Sequence, residues 1–269
     1  VTGAFFQVQQ SLRWFVDNYA RIADWRATLL RVMSLRLALP DLGPMGVHAR
    51  RIAFEPHPDG RLALEGLVVE LPDKRVGLGD VRLELAPGDR VLVTGGPGRG
   101  KSMLFRAAAG LWPWGKGRVL LPPPDRIMFL PQHPYVPIGS LRKAVAYPLE
   151  PERYPDAEVR AALERVGLSH LQRHLDETRR WDKELALEEK QCLAFARLLL
   201  RRPAWVLMDD PLNAVDPARR AELFQVFEQE LAATAVLAVG RSIAAACEGC
   251  RVIELVEVPN GTAVGEAAQ

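Results

Sequence analysis

An α/β fold built round a parallel sheet is what this sequence predicts, and three observations carry the prediction. Short apolar runs alternate with helical patterns through the second half of the chain, as strand–helix–strand units require. A glycine-rich run follows one such strand and opens a helix. The composition, 48% hydrophobic and 25% charged over 269 residues, is that of a folded chain with one or two domains.

Residues 1–38 read as one long helix, because Phe15, Tyr19, Ile22, Trp25, Leu29 and Val32 recur every three or four residues. Arg13, Asp17, Arg21, Asp24 and Arg26 make it too polar to cross a bilayer. Two readings stay open: an amphipathic surface helix, or the cytoplasmic end of a membrane helix. Residues 39–49, with Pro40, Gly43, Pro44 and Gly46, read as a breaker-rich linker and domain boundary. Residues 50–258 then form the main domain. It opens with strand runs at Arg61–Leu64, Leu67–Leu71, Val81–Leu85 and Arg90–Thr94. A helix is expected over Lys101–Leu111, and a strand over Ile127–Leu130. A helical subdomain is expected over about 134–202, where Asp156 suits the N-cap of Ala157–Val166. Strands at Trp205–Met208, Val236–Val239 and Val252–Val256 follow, with a helix at Pro217–Leu231 between the first two. The tail, 259–269, is small and polar and expected to fray.

The run Gly95-Gly96-Pro97-Gly98-Arg99-Gly100-Lys101-Ser102 fits the phosphate-loop pattern G-x-x-x-x-G-K-[ST]. It follows the apolar strand Val91-Leu92-Val93-Thr94 and opens a helix, as that motif needs. Glycines let successive N–H groups turn toward phosphate oxygens, and the helix N-terminus adds a favourable dipole. Lys101 would reach the outer phosphates and Ser102 would ligate Mg²⁺. About a hundred residues on, Trp205-Val206-Leu207-Met208 ends in Asp209-Asp210, an apolar strand closed by an acid that can hold Mg²⁺. A P-loop nucleotide-binding core is therefore expected, with a nucleotide's phosphates and Mg²⁺ as its ligands.

Further runs narrow the reading. They are Gly110-Leu111-Trp112-Pro113, Phe129-Leu130-Pro131-Gln132-His133-Pro134-Tyr135, Gly139-Ser140-Leu141-Arg142 and Ala146-Tyr147-Pro148. From about residue 60 to 256 the chain resembles the nucleotide-binding domain of ABC transporters. Within them it is similar to the peroxisomal fatty-acyl half-transporters and their bacterial relatives. Phe5-Phe6-Gln7-Val8-Gln9-Gln10 and Asp24-Trp25-Arg26 resemble the end of the membrane domain that precedes the ATPase there, so the chain is expected to begin inside it. The resemblance implies a head-to-tail dimer with a second nucleotide-binding domain, identical or different, and ATP at the interface. It also implies a transmembrane partner domain and a place on the cytoplasmic face of the inner membrane. By position, Gln132 would contact Mg²⁺ and the membrane domain, Asp209 would hold Mg²⁺, and Asp216 would belong to the loop crossing the interface.

Four departures from that pattern bear on activity. The signature segment reads Leu185-Ala186-Leu187-Glu188-Glu189, so Ala186 lacks the family's hydroxyl and Glu188 stands in place of a glycine near the γ-phosphate. The catalytic-base position holds Asp210 instead of Glu, which withdraws the carboxylate by roughly 1.5 Å. Misplacement of that order costs about a hundredfold in rate. Arg241 occupies the switch-histidine position; it can bind phosphate but not shuttle a proton at neutral pH. Leu71 stands near the position of the usual adenine-stacking aromatic. The expectation is an ATP-driven transporter component whose hydrolysis is weakened, the alternative a non-catalytic ATP-binding partner or a truncated copy.

Other classes fall away. A net charge of +2, from 35 Lys+Arg and 33 Asp+Glu, gives no basic field for nucleic acid. No N-K-x-D base reader of the GTPase kind is present. Cys247-Glu248-Gly249-Cys250 has no second pair or nearby histidine to complete a metal shell.

Overall fold

The computed structural model describes residues 2–48, 51–71, 75–78, 82–96, 98–240 and 249–258. Pro97, Arg241 and the tail 259–269, all named above, lie outside the described residues. The chain divides into two units, Val1–Arg50 and Arg51–Gln269.

The first unit is a single helix, α1 (Thr2–His48). It runs on through the stretch where the sequence predicts a linker. A proline removes one ladder N–H but leaves its neighbours' hydrogen bonds to carry the helix on. Arg13, Arg21, Arg26, Arg31 and Arg36 are exposed along it, as are Trp14, Tyr19, Trp25 and Val32. Among the described residues no helix is long and apolar enough to cross a membrane.

The second unit contains two principal sheets. In chain order its elements begin with β1 (Ala53–Pro56), β2 (Leu62–Glu70), β3 (Arg75–Gly77), β4 (Arg82–Leu85), β5 (Arg90–Thr94) and α2 (Lys101–Ala108). Then come β6 (Gly115–Leu121), β7 (Ile127–Leu130), β8 (Gly139–Ser140), α3 (Leu141–Ala146), α4 (Asp156–Arg165), β9 (Thr178–Arg179), α5 (Trp181–Glu184) and α6 (Leu187–Arg201). The chain continues through β10 (Trp205–Asp209), α7 (Pro217–Phe224), α8 (Val226–Gln229), β11 (Ala235–Val239), β12 (Arg251–Glu254) and β13 (Val256–Val258).

The parallel sheet has the order β12-β5-β11-β10-β7. Its strands read as near-continuous apolar runs because both faces are covered. Period-two alternation divides them. Leu92, Met128, Leu130, Val206, Met208, Val236 and Ala238 enter a core shared with the helical elements. Val91, Val93, Ile127, Trp205, Leu207, Leu237 and Val239 enter a second core under α2 and the other sheet.

That other sheet, β1-β6-β2-β3-β13 with β4 paired to β2, is largely antiparallel. Sequence patterning missed β1, β3 and β6 and split β2 in two. The split falls at Gly66 (φ 53°), where a bulge shifts register between Glu65 and Val68 and the strand carries on. Gly117 (φ 101°) faces this bulge, and a Cβ there would stand 2.5 Å from the Gly66 carbonyl oxygen. Gly66 and Gly117 are therefore the residues that let two strands approach.

Helices α3 to α6 form the expected helical insertion. One local reading is corrected. Asp156 is the first residue of α4, Pro155 is its N-cap, and no side chain caps the helix. The Asp156 carboxylate instead pairs with Arg142 at 2.7 Å and Arg160 at 2.5 Å, which together hold it below the usual carboxylate range. The helix starts one residue earlier than expected, which takes Asp156 out of the cap position and leaves its carboxylate to the two guanidinium groups.

Candidate nucleotide-binding site

Open parallel sheets bind ligands beyond the carboxyl ends of their strands. Here registry brings those ends level: Val93 lies beside Val239, Val239 beside Asp209, and Met208 beside Leu130. The sequence-predicted residues leave from these ends. Gly95 follows β5, Gln132 comes two residues after β7, and Asp209 and Asp210 close β10. The position of Arg241 follows Gly240 at the end of β11 but is not itself described.

The phosphate loop is tied in from several sides. Gly98 (φ 70°) and Gly100 (φ 83°) are left-handed, a conformation glycine adopts without strain. Gly100 is the N-cap of α2, and its carbonyl accepts from Met103 and Leu104 N–H, both at 3.0 Å. A Cβ at Gly100 would stand 2.9 Å from Val76 and 3.1 Å from Leu71, so β3 and the end of β2 press on the loop. Lys101 Nζ donates to the carbonyls of Gly95 (2.7 Å) and Gly96 (2.8 Å), folding the ammonium back over the loop. The Arg99 side chain lies over Gly96.

Ser102 Oγ donates to Asp209 Oδ1 at 3.0 Å, joining the start of α2 to the end of β10. Burial pushes the Asp209 carboxyl up from its ordinary range, the Ser102 hydrogen bond opposes that, and the neighbouring charge of Asp210 adds to it. A hydroxyl and a half-buried carboxylate held together are hard oxygen donors of the kind Mg²⁺ takes.

Asp210 is itself left-handed (φ 44°), which short polar side chains tolerate better than longer ones. Its N–H donates to Val239 O at 2.8 Å, and its carbonyl accepts from Asn213 N–H at 3.3 Å. Its carboxylate packs against the Gly240 α-carbon, where a Cβ would overlap it. Asp216 caps α7, accepting from Arg219 N–H at 3.1 Å.

The N-terminus of α6 carries its own acids. Ala186, the N-cap, has no side-chain oxygen to offer the helix amides. Glu189 Oε2 accepts from Ala186 N–H at 2.9 Å, and its other oxygen meets His170 Nε2 at 3.0 Å. Glu188 lies 3.5 Å from Arg219 Nη1, while Arg219 Nη2 donates to the carbonyls of Val166 and Gly167, both at 2.9 Å.

Sequence reasoning missed Gln191. It is fully buried; Nε2 donates to Gln132 O (2.9 Å) and Asn213 Oδ1 (2.6 Å), and Oε1 accepts from Ala214 N–H (3.1 Å). The available signal was helical spacing: Gln191, Phe195 and Leu198 share the buried stripe of α6, so an amide there needs partners. Cys250 is disulfide-bonded. Among the described residues no group of three or more His, Cys, Asp or Glu side chains is placed to hold a metal ion.

Residues 78–213, just over half of the chain, match the family model described as ABC transporter. An uncharacterised ABC transporter ATP-binding protein of Haemophilus influenzae is 36% identical over 160 residues, covering 60% of this chain and 27% of that protein. The inner membrane ABC transporter ATP-binding protein YddA of Escherichia coli K12 is 27% identical over 240 residues, covering 88% and 40%. The human lysosomal cobalamin transporter ABCD4 is 34% identical over 187 residues, covering 64% and 30%. The chain spans only 25% to 40% of the length of the first four curated relatives it matches. The fold matches a bacterial Atm1-family ABC exporter solved with ATP bound, with a TM-score of 0.61 at 20% identity, covering 82% of this chain and 43% of that one. Matched by family model, relatives and fold alike, the chain belongs to the ABC transporter family and carries its ATP-binding domain.

Proposed function

We propose that the unit from Arg51 onward binds Mg-ATP and drives a membrane transporter by closing against a second nucleotide-binding domain. The observation that carries this reading is the pair of links at the strand ends: Lys101 Nζ on two loop carbonyls, and Ser102 on Asp209. Phosphate oxygens can take the place of the two carbonyls on the ammonium, which stays at the loop either way. Ser102 and Asp209 would hold Mg²⁺ with Gln132 nearby; bound there, the cation supplies charge neutralisation at the phosphate oxygens. The transmembrane partner and a place on the cytoplasmic side of an inner membrane follow from the relatives, and residues 1–38 fit the end of such a membrane domain.

Hydrolysis is weakened in this reading. The base position offers the short carboxylate of Asp210, held against Gly240. The surface that would meet the partner's γ-phosphate offers Glu188 and an Ala186 without a hydroxyl. A proton cannot be shuttled by Arg241 at neutral pH. The acid-filled start of α6 also favours a second reading, an ATP-binding partner that does not turn over. Phosphate release from the full chain, with Lys101→Ala as the blank, separates the two. A rate at least tenfold above the blank supports a slow ATPase; ATP binding with a rate equal to the blank supports the non-catalytic partner.

A further inference from the structure

We infer that Gln191 is a positioning residue that sets the Gln132 loop and the loop after Asp210 relative to each other, and so controls how the site senses the outermost phosphate. The inference deepens the reading of this site as one for ATP and rests on it. Gln191 is completely excluded from solvent, and both of its donor hydrogens are used on different segments. One goes to the main-chain carbonyl of Gln132, just beyond β7; the other goes to Asn213, three residues beyond Asp210. Its oxygen takes the next amide, Ala214 N–H. One side chain therefore ties three pieces of backbone, because it is itself anchored in the first turns of α6.

None of these ties touches Gly95–Ser102, whose shape is set by its own glycines, by Lys101 and by β3. The loop that cradles the inner phosphates thus has no direct tie to Gln191. The neighbouring strand ends, carrying Gln132 and Asp210, are tied to it. A second contact of α6, from Glu188 to Arg219 at the start of α7, is half-exposed and weak. The buried amide carries the linkage, since a group in a water-free site loses its full hydrogen-bond contribution when unpaired.

The test is calorimetric titration of the full chain with Mg-ATP and with Mg-ADP, for the wild type, Gln191→Met and Asn213→Ala. Methionine keeps the volume and removes all three hydrogen bonds. The expected result is that ADP affinity stays within twofold in both variants. ATP affinity falls about fivefold or more in Gln191→Met and about twofold to threefold in Asn213→Ala, so the preference for ATP over ADP shrinks. A purely structural role would weaken both nucleotides together, or neither. Equal losses, an unchanged preference, or a wild type with no preference overturns the inference. Should Gln191→Met not fold, Asn213→Ala, at an exposed position, decides alone. A wild type that binds neither nucleotide overturns the ATP reading and this inference with it.

Discussion

Two helix N-termini in this domain present opposite chemistry. At the start of α2, Gly98 and Gly100 leave the backbone bare and Lys101 adds a cation, so the end of the helix is open to an anion. At the start of α6 the side chains are acidic instead: Glu189 accepts from Ala186 N–H, and Glu188 leans on Arg219. Both termini have the same dipole. What differs is the charge set beside it. The first carries an ammonium group that suits an anion, while the second carries carboxylates of its own. In the proposed reading, a nucleotide-binding half-site persists in a chain whose complementary half-site carries acids of its own.

The largest way to break this contrast is Lys101→Ala. It removes the cation from the open terminus, and a loss of at least a hundredfold in ATP affinity is expected, read by competition with a fluorescent ATP analogue. Next is Gly100→Ala. A methyl would meet Val76 and Leu71 in a left-handed backbone, at a cost of about 1–3 kcal/mol, so Tm should fall by about 3–10 °C in a thermal melt.

Asp209→Asn acts with a sign set by burial. A carboxyl whose folded pKa is raised is disfavoured as its charged form, and that penalty sets in as pH rises through the folded value. The nucleotide-free variant should therefore melt higher than wild type at pH 7.5. The gain should vanish below the ordinary carboxylate pKa, where both states are protonated. The same variant should lose the Mg²⁺ dependence of ATP binding.

Smallest is Ala186→Ser at the acidic terminus. The N-cap backbone is already extended (φ −63°, ψ 161°), so a hydroxyl can reach the helix amides and add about 1 kcal/mol, seen as a Tm rise of roughly 2–4 °C. An Ala186→Ser variant no more stable than wild type would mean that this terminus is not held as described.

How far the sequence speaks also differs between the two regions. Around the open terminus almost everything was legible. β5 and β7 have the expected bounds and β10 and β11 differ by one residue, because strands buried on both faces must be unbroken apolar runs. The phosphate loop was legible because glycines, lysine and serine must stand in fixed order there. The antiparallel sheet was not. β6 begins Gly115-Lys116-Gly117-Arg118, which reads as a turn until its partner strand is known. Gln191 was hidden for the same reason, since its partners lie 22, 23 and 59 residues away in sequence. Local pattern reports what a segment does alone, and these features exist only through pairing.

Everything here depends on the open terminus of α2 taking a polyphosphate. Isothermal calorimetry of the wild-type chain with millimolar Mg-ATP tests that directly. A saturable heat with a one-to-one stoichiometry, absent in Lys101→Ala, is the predicted result. A well-folded wild type that gives no heat contradicts the account.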